Sequence, residues 1–169
     1  MTIGGERPAY PTKRDEAWRY APHKMLGELS FGPTVEAGDG IPAELDAQIH
    51  VLEGPRIEIV NGVVDAERSE FTVPAGVHLS TLSAAIAAGS EAVAAHFAIT
   101  EPADAFVALN VEFGVDGAVV EIADGVGVEV PIHIVDVEIP DQTTNASCTG
   151  VVIRAGAGST ATVVETRLG

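Results

Sequence analysis

The chain has 169 residues, 9 of them basic and 25 acidic for a net charge of −16, and 46% are hydrophobic. That much apolar surface excludes a disordered polyelectrolyte. So negative a charge without a basic stripe excludes a nucleic-acid binder and disfavours anionic membrane surfaces.

The charge is uneven. Up to Lys24 five basic residues face three acidic ones, a balance of +2, so the remainder carries −18. The N-terminus holds no apolar stretch like a signal-peptide core, and no apolar run approaches the roughly 18 residues that span a bilayer. A cytoplasmic location is the expectation. The single cysteine, Cys148, has no partner for an internal disulfide, which agrees with a reducing compartment.

In chain order, Thr12-Lys13-Arg14-Asp15 caps a short helix that Pro22 ends, and the Gly- and Pro-rich stretch 30–42 reads as a connector. Ile49–Leu52 and Ile57–Val60 are strands, and Asn61-Gly62 before Val63-Val64 signals a hairpin. From Leu79 to Phe97 the residues Leu79, Leu82, Ile86, Val93 and Phe97 form one helical stripe, with Ser80 as N-cap and, at Gly89-Ser90, either a break into two helices or a weakened single one. Residues 102–110 add a further helical turn or two.

Beyond Asn110 the pattern is strands and turns, with Asp116-Gly117 and Asp124-Gly125 as turn signals. The run Val126–Ile139 alternates at Val128, Val130, Ile132 and Ile134 and then in the opposite phase at Val135, Val137 and Ile139. A bulge or corner near Ile134-Val135 is expected, because a one-residue slip exchanges the faces of a strand. After a polar loop come Val151–Arg154, a small-residue turn and Thr160–Glu165. These features predict an α+β N-terminal region over 1–110, then the first rungs of a β-solenoid over 111–169. A sandwich stays open.

Chemical signals are sparse. Gly156-Ala157-Gly158-Ser159-Thr160-Ala161 fits a dinucleotide fingerprint, but a helix must follow for the loop amides to bind a pyrophosphate, and β-branched residues follow instead. It reads as a turn. His23, His50, His78, His96 and His133 show no metal-ligand spacing, and alternation puts His133 on the polar face of a strand as a surface histidine. Cys148 has no basic neighbour and reads as inert. Trp18-Arg19-Tyr20 reads as an anchor for the N-terminal arm. No catalytic, cofactor-binding or metal residue is assigned.

Four segments in order carry a family resemblance: Pro11-Thr12-Lys13-Arg14-Asp15-Glu16-Ala17-Trp18-Arg19-Tyr20-Ala21-Pro22; Ile59-Val60-Asn61-Gly62 with Pro74-Ala75-Gly76-Val77; Phe106-Val107-Ala108-Leu109-Asn110 with Asp116-Gly117; and Val128-Glu129-Val130-Pro131-Ile132 with Ala155-Gly156-Ala157-Gly158-Ser159. The chain resembles the SufD side of the SufB/SufD family. The resemblance implies a right-handed parallel β-helix after the N-terminal region and a non-enzymatic scaffold role in iron–sulfur cluster assembly. It implies SufB-like and SufC-like partners, the latter an ATPase. It also implies a cluster and a flavin at the level of the assembled complex, with neither bound directly by this segment.

Family members are longer, so an unfinished stack is expected to self-associate or to need a partner. Two other readings remain. One is a β-solenoid carbohydrate-active enzyme using carboxylates such as Asp116, Glu121 and Glu129. The other is an acidic calcium-dependent binding module.

Overall fold

The computed structural model describes residues 40–97, 116–139 and 145–169, together with 14, 16, 19, 20, 32, 33, 107, 110 and 114. The cap and helix expected before Pro22, the connector and most of 102–110 lie largely outside these residues, although Val107 and Asn110 are helical.

Strand β1 (Gly32–Pro33) is followed by the one-turn helix α1 (Ala43–Asp46), which the sequence did not signal. Residues 49–52 form no strand, and Val51 is exposed. Strands β2 (Arg56–Val60) and β3 (Val63–Glu70) make the expected antiparallel hairpin. Asn61 and Gly62 adopt φ of 50° and 80°, the left-handed pair that a tight two-residue hairpin turn requires. Asn61 is then fixed from the side, its Oδ1 accepting the Ile139 amide at 2.7 Å.

The expected helix from Leu79 begins later. Leu79 lies in strand β4 (Val77–Thr81), and helix α2 (Leu82–Ala88) follows, capped by Thr81 rather than Ser80. The Thr81 hydroxyl accepts the Ala84 amide at 3.0 Å, satisfying a donor the first helical turn leaves open. Gly89 ends the helix at φ +71°, and α3 (Glu91–Phe97) starts afresh, so of the two alternatives at Gly89-Ser90 the break is the one found.

Strand β5 (Asp116–Ile122) contains the Asp116-Gly117 pair that reads as a turn in the sequence, whereas Asp124-Gly125 is a turn. Strand β6 (Ile132–Val137) is followed by β7 (Asn145–Ala146), β8 (Thr149–Ala155) and β9 (Val163–Leu168). The result is a mixed α+β fold with, among the described residues, three sheets, none of them closed: β3-β2-β6-β9, β4-β5-β8 and the short β1-β7 pair. The strands of 56–81 pair directly with those of 116–137.

The two larger sheets repeat each other. The path β5–corner–β6 recurs as β8–corner–β9, and the second pass lies parallel on the first: Asp116 pairs with Thr149, Gly127 with Thr160 and Ile132 with Val163. Ile57, Ile59, Ile132 and Ile134 from one sheet and Val77, Leu79, Ala118, Val120 and Ile122 from the other form one buried cluster. The other face of β5 and β8 presents Val119 and Val152 to Leu82, Ala85 and Val93 of the helices. Each of the Val, Leu and Ile side chains contributes about 1.5–3 kcal/mol by leaving water.

The expected bulge or corner near Ile134-Val135 is absent. β6 pairs without a shift with β2 from His133 to Val137 and with β9 from Ile132 to Val137, and all six of its residues are buried. With both faces covered, the apolar pattern changes phase without any slip of the backbone. Asp136 is therefore left on the same face as Ile132 and Ile134.

Candidate functional site

Two polar clusters sit within this aliphatic frame, one on each face of the β6 sheet. The first is made by an irregularity in β3. Arg56 pairs with Glu70 while Glu58 pairs with Asp65, so β3 spends extra residues between these points. The excess folds over on itself, with Asp65 Oδ1 accepting the amides of Glu67 and Arg68 and Ser69 Oγ donating to the Asp65 carbonyl at 2.7 Å.

That fold-over lays Arg68 across Glu58, whose side chain has no exposed surface. Arg68 Nε donates to Glu58 Oε2 at 2.6 Å and Arg56 Nε lies 2.9 Å from Oε1. Arg68 also reaches Asp46 of α1. Hydrogen bonding to Glu58 holds the Arg68 guanidinium above its ordinary pKa.

His133 lies on the same face as Glu58, paired across the sheet with Arg56. It is 1% exposed, which overturns the expectation of a surface histidine: the alternation was right about the face and wrong about its burial. Its Nε2 meets Thr166 Oγ1 at 2.9 Å, and Nδ1 is buried without a hydrogen bond. Burial first, then the Arg56 charge, pushes its pKa down.

The second cluster lies at the end of the inward face. Asp136 is 6% exposed, flanked by Ile59 on β2 and Arg167 on β9, with Thr149 Oγ1 donating to Oδ1 at 3.5 Å. Burial, followed by the charge of Glu138, raises its pKa from 3.8 to about 6. Cys148, half-buried nearby in sequence, has its thiol pushed up by burial and by Glu138, which disfavours the reactive thiolate.

The carboxylates of the enzyme reading do not converge. Asp116 accepts the Val64 amide through Oδ2 and the Ser83 amide through Oδ1, both at 3.2 Å, so it ties the hairpin to the helix start. Glu121, five positions on, points to the opposite face of β5 and pairs with Arg154 at 3.7 Å, while Glu129 is exposed. Residues 156–159 form a turn into β9 with no helix behind it. The Gly156 amide donates to the Ile122 carbonyl and Asp124 Oδ1 accepts the Ala157 amide, so this turn stacks on that of the preceding pass.

His50 and His78 are exposed, Tyr20 is 93% exposed rather than packed as an anchor would be, and His23, Trp18 and the side chain of His96 lie outside the described residues. Among the described residues no three His, Cys, Asp or Glu side chains gather to hold a metal ion, and no helix is long and apolar enough to cross a membrane.

Two edges complete the picture. Among the described strands, β8 and β9 each have a partner on one side only. Beside β8 and α3 runs a groove of about 540 Å³ lined by Ala92, Ala95, Val152 and Ile153 with Glu91 and Arg154. The sequence signalled neither Glu58 nor Asp136, because each sits at a strand position whose neighbours read as ordinary alternation.

No curated protein matches the chain. A family model described as the SufBD protein N-terminal region matches residues 6–134.

Proposed function

The chain belongs to the SufBD family, whose N-terminal region it carries and which ties it to iron–sulfur cluster assembly and to protein partners of the Suf system; on that footing we propose that it is a SufD-like, non-catalytic scaffold subunit. In this reading it pairs with a SufB-like subunit and docks a SufC-like ATPase, and the nascent cluster is cargo of the complex rather than a group held by these residues. The two passes β5–β6 and β8–β9 are then the opening rungs of a right-handed parallel β-helix. The observation that carries the reading is the parallel stacking of one pass on the other, with β8 and β9 having no further partner on that same side among the described strands. A surface of this kind offers backbone groups and a core edge to another polypeptide. The separation of Asp116, Glu121 and Glu129 favours it over a carbohydrate-active enzyme, whose two carboxyl groups must flank one bond.

Affinity capture tests the proposal. The tagged chain, co-expressed with SufB-like and SufC-like subunits, retains both through a salt wash. Retention of neither removes the scaffold reading and leaves the family membership standing.

A further inference from the structure

The second pass of the chain lies on the first along the β6–β9 seam, and one carboxyl group is shut inside that seam. We propose that the seam is a proton-controlled joint: with Asp136 neutral β9 lies closed on β6, and ionisation of Asp136 loosens β9 and the pass it ends.

The geometry sets this up. Asp136 faces inward because β6 keeps its register, and it has Ile59 on one side and Arg167 on the other. Facing it from just past the end of its own strand is Glu138, from β9 Glu165 and Arg167, and from β8 the uncharged Thr149. Arg167 is already engaged by Glu165, with Nη2 to Oε1 at 2.7 Å and Nε donating to the same oxygen at 2.8 Å. Among the described residues the cation within reach is thus shared, and an ionised Asp136 adds a third carboxylate beside the Arg167 guanidinium. Among the described residues the side-chain hydrogen bond Asp136 receives is the long one from Thr149. The neutral acid avoids the penalty of a desolvated charge. When it ionises, its proton passes to water and the carboxylate gains most by reaching solvent, which β9 must move to allow.

The sign follows from the raised pKa. Closure is fully supported below the ordinary carboxylate pKa of 3.8 and is lost as the pH rises through about 6. His133, on the opposite face of β6, acts the other way, since burial disfavours its charged form.

Amide hydrogen exchange on the full chain reads the joint directly. Relative to the β2 amides and corrected for intrinsic rates, protection of residues 163–168 falls by up to roughly tenfold between pH 5 and pH 8, the part of a two-unit shift that lies in that window. In Asp136→Asn the fall vanishes, leaving the rising slope due to His133. A wild-type profile without the fall, or one that Asp136→Asn leaves unchanged, overturns the proposal. Should that variant not fold, Glu138→Gln serves: it removes an exposed neighbouring charge, so the midpoint moves to higher acidity, and an unmoved midpoint overturns the proposal equally.

Discussion

Glu58 shows how a charge is kept inside a β-sheet. Its carboxylate has no contact with water, and two guanidinium groups from different strands close on it. Removing one member of a buried ion pair costs more than the pair itself is worth, because the remaining charges stay desolvated. Glu58→Gln is therefore expected to lower stability by about 3 kcal/mol in urea unfolding, whereas Glu129→Gln, at an exposed site, changes it by less than about 0.5 kcal/mol. His133 adds a pH dependence. Its folded pKa lies below the ordinary 6.5, so its contribution is present above that value and declines as the pH falls beneath it. Urea midpoints of the wild type are expected to drop more between pH 7 and pH 5 than those of His133→Gln.

At the scale of elements, caps and glycines decide where one structure stops and the next begins. Thr81→Ala removes the side-chain acceptor at the start of α2 and is expected to cost about 1 kcal/mol. Gly117 is more demanding. It sits in β5 at φ +154°, and a Cβ there would lie 1.9 Å from the carbonyl oxygen of Gly150 on the neighbouring strand. Gly150 in turn has Leu82 at 2.7 Å from where its own Cβ would be. Gly117→Ala is expected to cost about 3 kcal/mol or more, by parting β5 from β8, and a melting temperature within about 2 °C of wild type would refute this.

Local signals of this kind were legible in part. Asn61-Gly62 named its hairpin because few other dipeptides tolerate two left-handed residues, and Gly89 marked its break. Leu79 was misassigned to a helix because its spacing to Leu82 and Ile86 is helical while its pairing with Val120 is decided by β5, far along the chain. Asp116-Gly117 was read as a turn for the same reason: its role is set by Thr149 and Gly150 across the sheet.

For the whole molecule, the sequence disclosed an aliphatic strand-and-turn architecture and a family, and concealed the way its charges are buried. Alternation tells which side of a strand a residue occupies but not what covers that side, so His133 and Asp136 could be placed on faces and not in environments. The spacing of the stack carries a last consequence. Pairs along β5–β8 and at the corner lie 33 positions apart, as from 116 to 149 and from 127 to 160, but along β6–β9 the interval is 31, as from 132 to 163. The earlier pass therefore accommodates two more residues than the later one between Gly127 and Ile132, without disturbing the ladder on either side. That bend is a natural slot for cargo: a short epitope grafted at Glu129 should leave both sheets intact, which circular dichroism can verify, and lineages free to vary in length would vary there first.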